Sequence, residues 1–216
     1  MTVKRLVLTF ALCSIACQRI DFTPVYAPVE YGDDCLPLDA ELLGELTDPA
    51  TAVPFDEIPD DCEAASEAVL ARFEADGYAI ETKGRGMPFP GFTTVLPGRV
   101  LLGRDFDDKS CVDKAITWTH EDSHRRQIRK YGADKFYARW VFDANWRAAL
   151  ELSADRGRIR ARARFGVSTD DEDMSQRVHS FFTNYSLAGG GPSLECLHEM
   201  AAHAWVPELV HYAEAP

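Results

Sequence analysis

The chain has 216 residues, a formal net charge of −12 and 46% hydrophobic residues. That length supports one domain with a sizeable core and is short for two. Phosphate binding is dominated by basic surface, so the acidic balance speaks against nucleic acid as a partner.

Residues 1–16 have the three parts of an export signal: basic Lys4 and Arg5, an apolar run starting at Leu6, and the small-x-small step Ser14-Ile15-Ala16. The apolar run is about eleven residues, and a bilayer-spanning helix needs about 20, so the segment is expected to be cleaved and not to anchor the chain as a helix. Cys17 follows directly. This step resembles the lipobox of bacterial lipoproteins, which implies acylation of Cys17 and attachment to a membrane through the N-terminal lipid. Gln18, standing where Asp would signal inner-membrane retention, implies the outer membrane of the cell envelope. A soluble secreted form is the alternative. Lipidation would leave Cys35, Cys62, Cys111 and Cys196, which can pair as two disulfides in three ways.

Residues 17–60 are rich in Pro, Asp and Glu and read as a tether and N-terminal extension pinned by Cys35, with the folded domain at 61–216. A helix is expected over 61–76, with Ala65, Val69, Leu70 and Phe73 on one side and Gly77 as its stop. Short β-prone runs at 78–82, 92–96 and 99–102 predict a small sheet of two or three strands. A second helix is capped by Ser110 or Asp113 and closed by Gly132. Helical pattern then runs from 134 to 164 with a break near Asp143, and stops at Gly166. A helix follows over 170–185, and Ser193 caps a last one reaching about Trp205. The fold class is α+β, mainly helical with a small sheet.

The informative segment is His120-Glu121-Asp122-Ser123-His124. Residues four apart share one helix face, so both histidines can present a ring nitrogen to one ion, with Glu121 one step round. Neutral imidazoles suit zinc, and a neighbouring carboxylate can act as general base on a water. Ile116, His120, His124 and Ile128 form one core-facing stripe, while Arg125, Arg129 and Lys130 are expected in solvent. The bland reading is a pair of hydrogen-bonded core histidines beside a solvent-facing glutamate. Glu151 and Asp155 are again four apart, on an otherwise apolar stretch; their bland reading is a salt bridge of Glu151 with Arg147.

With Gln127, the step Tyr131-Gly132 and the aromatic-rich helix that bears Glu151, the run 99–155 resembles short bacterial zincin-like domains. The two helix motifs are similar to those of gluzincin-type metallopeptidases. The resemblance covers about a quarter of the chain. It implies Zn2+ held by His120, His124 and Glu151, Asp155 orienting His120, and Glu121 as catalytic base. A peptide or protein substrate follows from it. Asp122 and Arg126 depart from the pattern, which has apolar residues there. They could perturb Glu121 or pair with each other at the surface, and they raise the alternative of a non-catalytic zinc-binding or structural envelope lipoprotein. Hydrolysis of another bond, for instance in cell-wall material, is a further rival.

His198 and His203 imitate the motif but are five apart, about 140° round a helix, and do not share a face. One of His179, His198, His203 or Tyr185 is a candidate to polarise a substrate carbonyl. Arg156, Arg158, Arg160, Arg162 and Arg164 read as a solvated, salt-bridged helix, with docking to anionic lipid as the sharper option. Trp118, Trp140, Trp146 and Trp205 are expected to pack.

Overall fold

A computed structural model describes residue 35 and residues 40–84, 93–169, 171–185 and 191–213. The proposed signal segment and Cys17 lie outside these residues. The elements are α1 (Ala40–Thr47), a 3-10 turn (Phe55–Glu57), α2 (Cys62–Ala75), β1 (Ala79–Thr82), β2 (Thr94–Leu96), β3 (Arg99–Leu102), α3 (Cys111–Tyr131), α4 (Ala133–Phe142), α5 (Ala144–Arg164), α6 (Asp171–Tyr185) and α7 (Leu194–Ala213). The fold is therefore mainly helical α+β with a three-stranded sheet. Among the described residues, no helix is long and apolar enough to cross a membrane.

Local chemistry sets most boundaries. The Asp61 carboxylate accepts from the backbone N–H groups of Glu63 and Ala64 and starts α2. Gly77, at φ 81°, ends it, with the N–H of Tyr78 returning to the carbonyl of Phe73. Ser110 caps α3 through the N–H of Asp113, and Gly132 (φ 82°) closes it. Asp143 breaks the long helical pattern by capping α5, accepting from Asn145 and Trp146. In the sheet, β3 lies between β1, to which it is parallel, and β2, to which it is antiparallel.

Helix α5 is the core of the body, covered by α1, α3, α4, α6 and α7. Leu150, Leu152, Ala149 and Ala154 are almost fully buried on it. Two disulfides close the architecture: Cys35 with Cys196, and Cys62 with Cys111. The second joins the first turns of α2 and α3, so it holds the start of the histidine-bearing helix.

Several expectations need correction. Residues 40–60 are part of the packed body and not a tether: Leu42, Leu46, Val53 and Ile58 are buried, because α1 supplies one wall over α5 and α7. Helix α7 continues past Trp205 and through Pro207 to Ala213. Arg125 is buried, held by Asp122 and Asp76. Two of the alternating arginines of α5 are not solvated: Arg156 and Arg160 are buried and salt-bridged around Glu208 of α7. Trp118, Trp146 and Trp205 pack in the core as expected.

Candidate metal centre

Helices α3 and α5 cross so that His120 and His124 face Glu151. His120 Nε2 lies 3.5 Å from Glu151 Oε2, and His124 Nε2 lies 3.5 Å from Glu151 Oε1. The ligand atoms of the three residues lie within 4.8 Å of one another, and all three side chains are buried. Arg147 donates instead to the carbonyls of Trp140 and Val141, so it does not draw Glu151 away.

Each outer ring nitrogen faces an acceptor. Gln127 Nε2 donates to the Leu150 carbonyl and to Glu45 Oε1, which leaves only its amide oxygen to face His124 Nδ1 at 2.8 Å. His124 must therefore carry its proton on Nδ1. His120 Nδ1 lies 2.8 Å from Asp155 Oδ1, in a contact bent away from the linear direction. Asp155 is in turn gripped by Arg177 of α6 through both carboxylate oxygens, at 2.8 and 3.1 Å. With both Nδ1 atoms facing acceptors, both Nε2 lone pairs are left pointing at the Glu151 carboxylate. Outer partners of this kind fix the tautomer and ring orientation of metal-ligating histidines. The donor set, two imidazoles and a carboxylate, could hold a metal ion.

The electrostatics follow from so many acceptors in a small buried volume. Burial alone disfavours the His120 imidazolium, but Asp155, then Glu151 and Glu121, outweigh it and lift its pKa to about 9. His124 is raised in the same sense, with Glu151 overcoming burial. Burial would raise Glu151, yet the two imidazoles hold its carboxyl well below the usual range. Asp155 is also lowered, against burial, chiefly by Arg177. Without an ion the cluster thus draws protons into the space between its ligands.

Glu121 is buried, 4% exposed, and not solvent-facing. Burial raises its carboxyl pKa, against the pull of His120 and His124. Asp122 points elsewhere. It is fully buried and bonded to Arg72 of α2 and to Arg125, with Arg126 Nε at 3.9 Å, so pairing at the surface is corrected to a buried tie between α2 and α3. Arg126 itself bonds Glu57. Both departures from the motif therefore belong to packing behind the helix.

Two more residues reach the site: Trp140, expected from the sequence only to pack, and Lys83, which the sequence did not single out. Trp140 of α4 donates from Nε1 to Glu151 Oε1 at 3.1 Å. Lys83, just after β1, is buried within electrostatic reach of Glu121 and donates to Thr94 Oγ1. His179 and His198 pack on each other, with ring centroids 6.0 Å apart, along the seam of α6 and α7. His203 lies farther along α7, and the metal-capable group found among the described residues is His120, His124 and Glu151, without these histidines.

Fold and site define a mainly helical α+β protein with a buried His-His-Glu group able to hold a metal ion. No family model, curated protein or solved structure matches the chain.

Proposed function

We propose that the protein is a zinc-dependent metallohydrolase, most simply a peptidase of the zincin-like type. The observation that carries this is the convergence of His120 Nε2, His124 Nε2 and the Glu151 carboxylate, with both Nδ1 atoms held from behind. A zinc ion held there supplies a Lewis acid for the scissile carbonyl and for the attacking water. Glu121, next to His120 on the same helix, takes the water's proton on its carboxylate and passes it to the departing amine. Asp155 and Gln127 orient the two imidazoles, and Trp140 orients Glu151.

The export signal and lipobox-like step at Cys17 accompany this activity with a place in the cell envelope, through an N-terminal lipid. Loss of membrane fractionation on Cys17→Ala tests it. A second function, a non-catalytic zinc-binding or structural envelope lipoprotein, is favoured by the low exposure of Glu121 and of all three ligands. The two separate on the bench. Elemental analysis of purified protein is expected to find stoichiometric zinc in the wild type and in Glu121→Gln, and none in His124→Ala. Peptide-library cleavage should be present in the wild type and lost in Glu121→Gln. Absence of zinc sinks both functions; zinc without cleavage, together with a lower melting temperature after chelation, leaves the structural one.

A further inference from the structure

The five arginines at alternate positions of α5 separate into two stripes. Residues four apart share a face, and the set 156, 160 and 164 lies about 200° from the set 158 and 162. The first set is engaged throughout: Arg156 and Arg160 hold Glu208, and Arg164 bonds Asp60 and the Phe55 carbonyl. The second faces α6 and the segment before it, where Arg162 donates to Thr169 Oγ1 at 2.9 Å and to Asp173 of α6 at 2.6 Å. Arg158 has no hydrogen bond or ion pair among the described residues.

Arg158, Arg162 and Arg177 line one cavity of about 220 Å3 between α5, α6 and α7. Among the described residues two carboxylates, Asp155 and Asp173, line it, so this lining holds one guanidinium more than it holds carboxylates. Burial, and then the neighbouring Arg177, make the charged form of Arg158 less favourable than in water. Ile159 and Trp205 form an apolar part of the wall, which strengthens any electrostatic contact made inside. A locally positive cavity is a place where an anion would collect, even on a chain whose net charge of −12 repels anions elsewhere.

We propose that this cavity binds a small oxyanion of the carboxylate or phosphate class, with Arg158 as its principal ligand. The planar guanidinium offers a fork of donors that matches either group. Arg162 and Arg177 flank the fork while keeping their present carboxylates. The site lies behind His120, on the side where Asp155 meets Arg177, and it stands whether or not the metal centre is catalytic.

Calorimetric titration of the purified protein with inorganic phosphate, and separately with acetate, tests the proposal. At least one anion is expected to saturate a single site, with a Kd of about a millimolar or below. The anion that does so identifies the class. Arg158→Gln should weaken binding by about tenfold or more, and Arg158→Lys, which keeps the charge without the fork, by less. Arg129→Gln removes one charge from the exposed end of α3 and should bind as the wild type does. Titration after chelation should give the same affinity, which separates the cavity from anion ligation to a metal. Removing an unpaired guanidinium from a like-charged setting is not expected to lower the melting temperature, so weakened binding by Arg158→Gln would not be unfolding. Failure of both anions to saturate, unchanged binding by Arg158→Gln, or loss of binding on chelation would each overturn the proposal.

Discussion

Helix α5 carries two buried charge clusters in succession, and they are wired in opposite ways. Around Glu208, donors meet acceptors. Arg156 and Arg160 both bond its carboxylate, and their remaining nitrogens reach the carbonyls of Asp48 and Val53. Around Glu151, acceptors meet acceptors: two imidazole lone pairs and a carboxylate converge, while the histidines' outer nitrogens are tied down. The first arrangement is complete as it stands. The second needs protons or a cation between its parts. Burial and charge alone do not distinguish a structural cluster from a binding site; the direction in which the lone pairs point does.

The complete cluster should be the more costly to break. Glu208→Ala leaves two guanidiniums buried without their carboxylate, and removing one partner of such a group costs about 3–5 kcal/mol. Urea unfolding reads this directly, and a loss below about 1 kcal/mol would show that water replaces the carboxylate and that the cluster is not closed. The same group has a pH signature. Burial would raise the Glu208 pKa, but Arg160 and Arg156 hold it below its ordinary value of 4.5. A depressed carboxylate stabilises the folded state above its unfolded pKa and loses that contribution as pH falls through the folded one. Wild-type stability should therefore fall below about pH 4.5, and Glu208→Gln should flatten that part of the profile.

The open cluster should respond in metal affinity more than in stability. Asp155→Asn keeps an oxygen facing His120 Nδ1 but loses the charge that both the imidazole and Arg177 use. Substitution of such an outer partner typically lowers metal affinity by about 10–100-fold, or about 1.4–2.8 kcal/mol. Competition with a chromophoric chelator measures it. Unchanged affinity would make Asp155 a link between α5 and α6 only.

The contrast between the clusters was partly legible in the sequence. His120, His124, Glu151 and Asp155 are visible because helical spacing of four determines which side chains share a face, and α3 and α5 are long, well-capped helices. Helix ends at Gly77, Gly132 and Gly166 were readable because positive φ selects glycine. What spacing cannot give is the partner on another element. Arg177, 22 residues from Asp155, and Glu208, 48 residues from Arg160, have no local signal. For the same reason Asp122 looked like a surface residue or a perturbation of Glu121, whereas Arg72, 50 residues away, draws it to the opposite side of α3. The alternating arginines misled because a charge run suggests solvent, while four-residue spacing on a central helix sends two of the five, Arg156 and Arg160, inward. Residues 40–60 were read as a tether from their turn-rich composition, although Leu42, Leu46 and Val53 are enough to dock the segment.

The smallest change expected to disturb the open cluster is a single methyl group at the crossing of α3 and α5. A Cβ on Gly157 would lie 2.5 Å from Ser123 Oγ and 3.3 Å from the Thr119 carbonyl. Ser123 sits between the two histidines in sequence, is fully buried, and donates to Thr119 O, so its hydroxyl has little room to withdraw. Overpacking costs about 1–3 kcal/mol, and the better helix propensity of alanine returns up to about 1 kcal/mol, so Gly157→Ala should lose roughly 1 kcal/mol of stability. Relief by retreat of α3 would carry His120 and His124 away from Glu151, so metal affinity should fall in the same variant. Adding Ser123→Gly removes the clashing hydroxyl and should recover affinity more fully than stability, since a second helical glycine carries its own cost. If affinity stays low in the double variant while the fold is intact, the spacing of the two helices is not what positions the ligands.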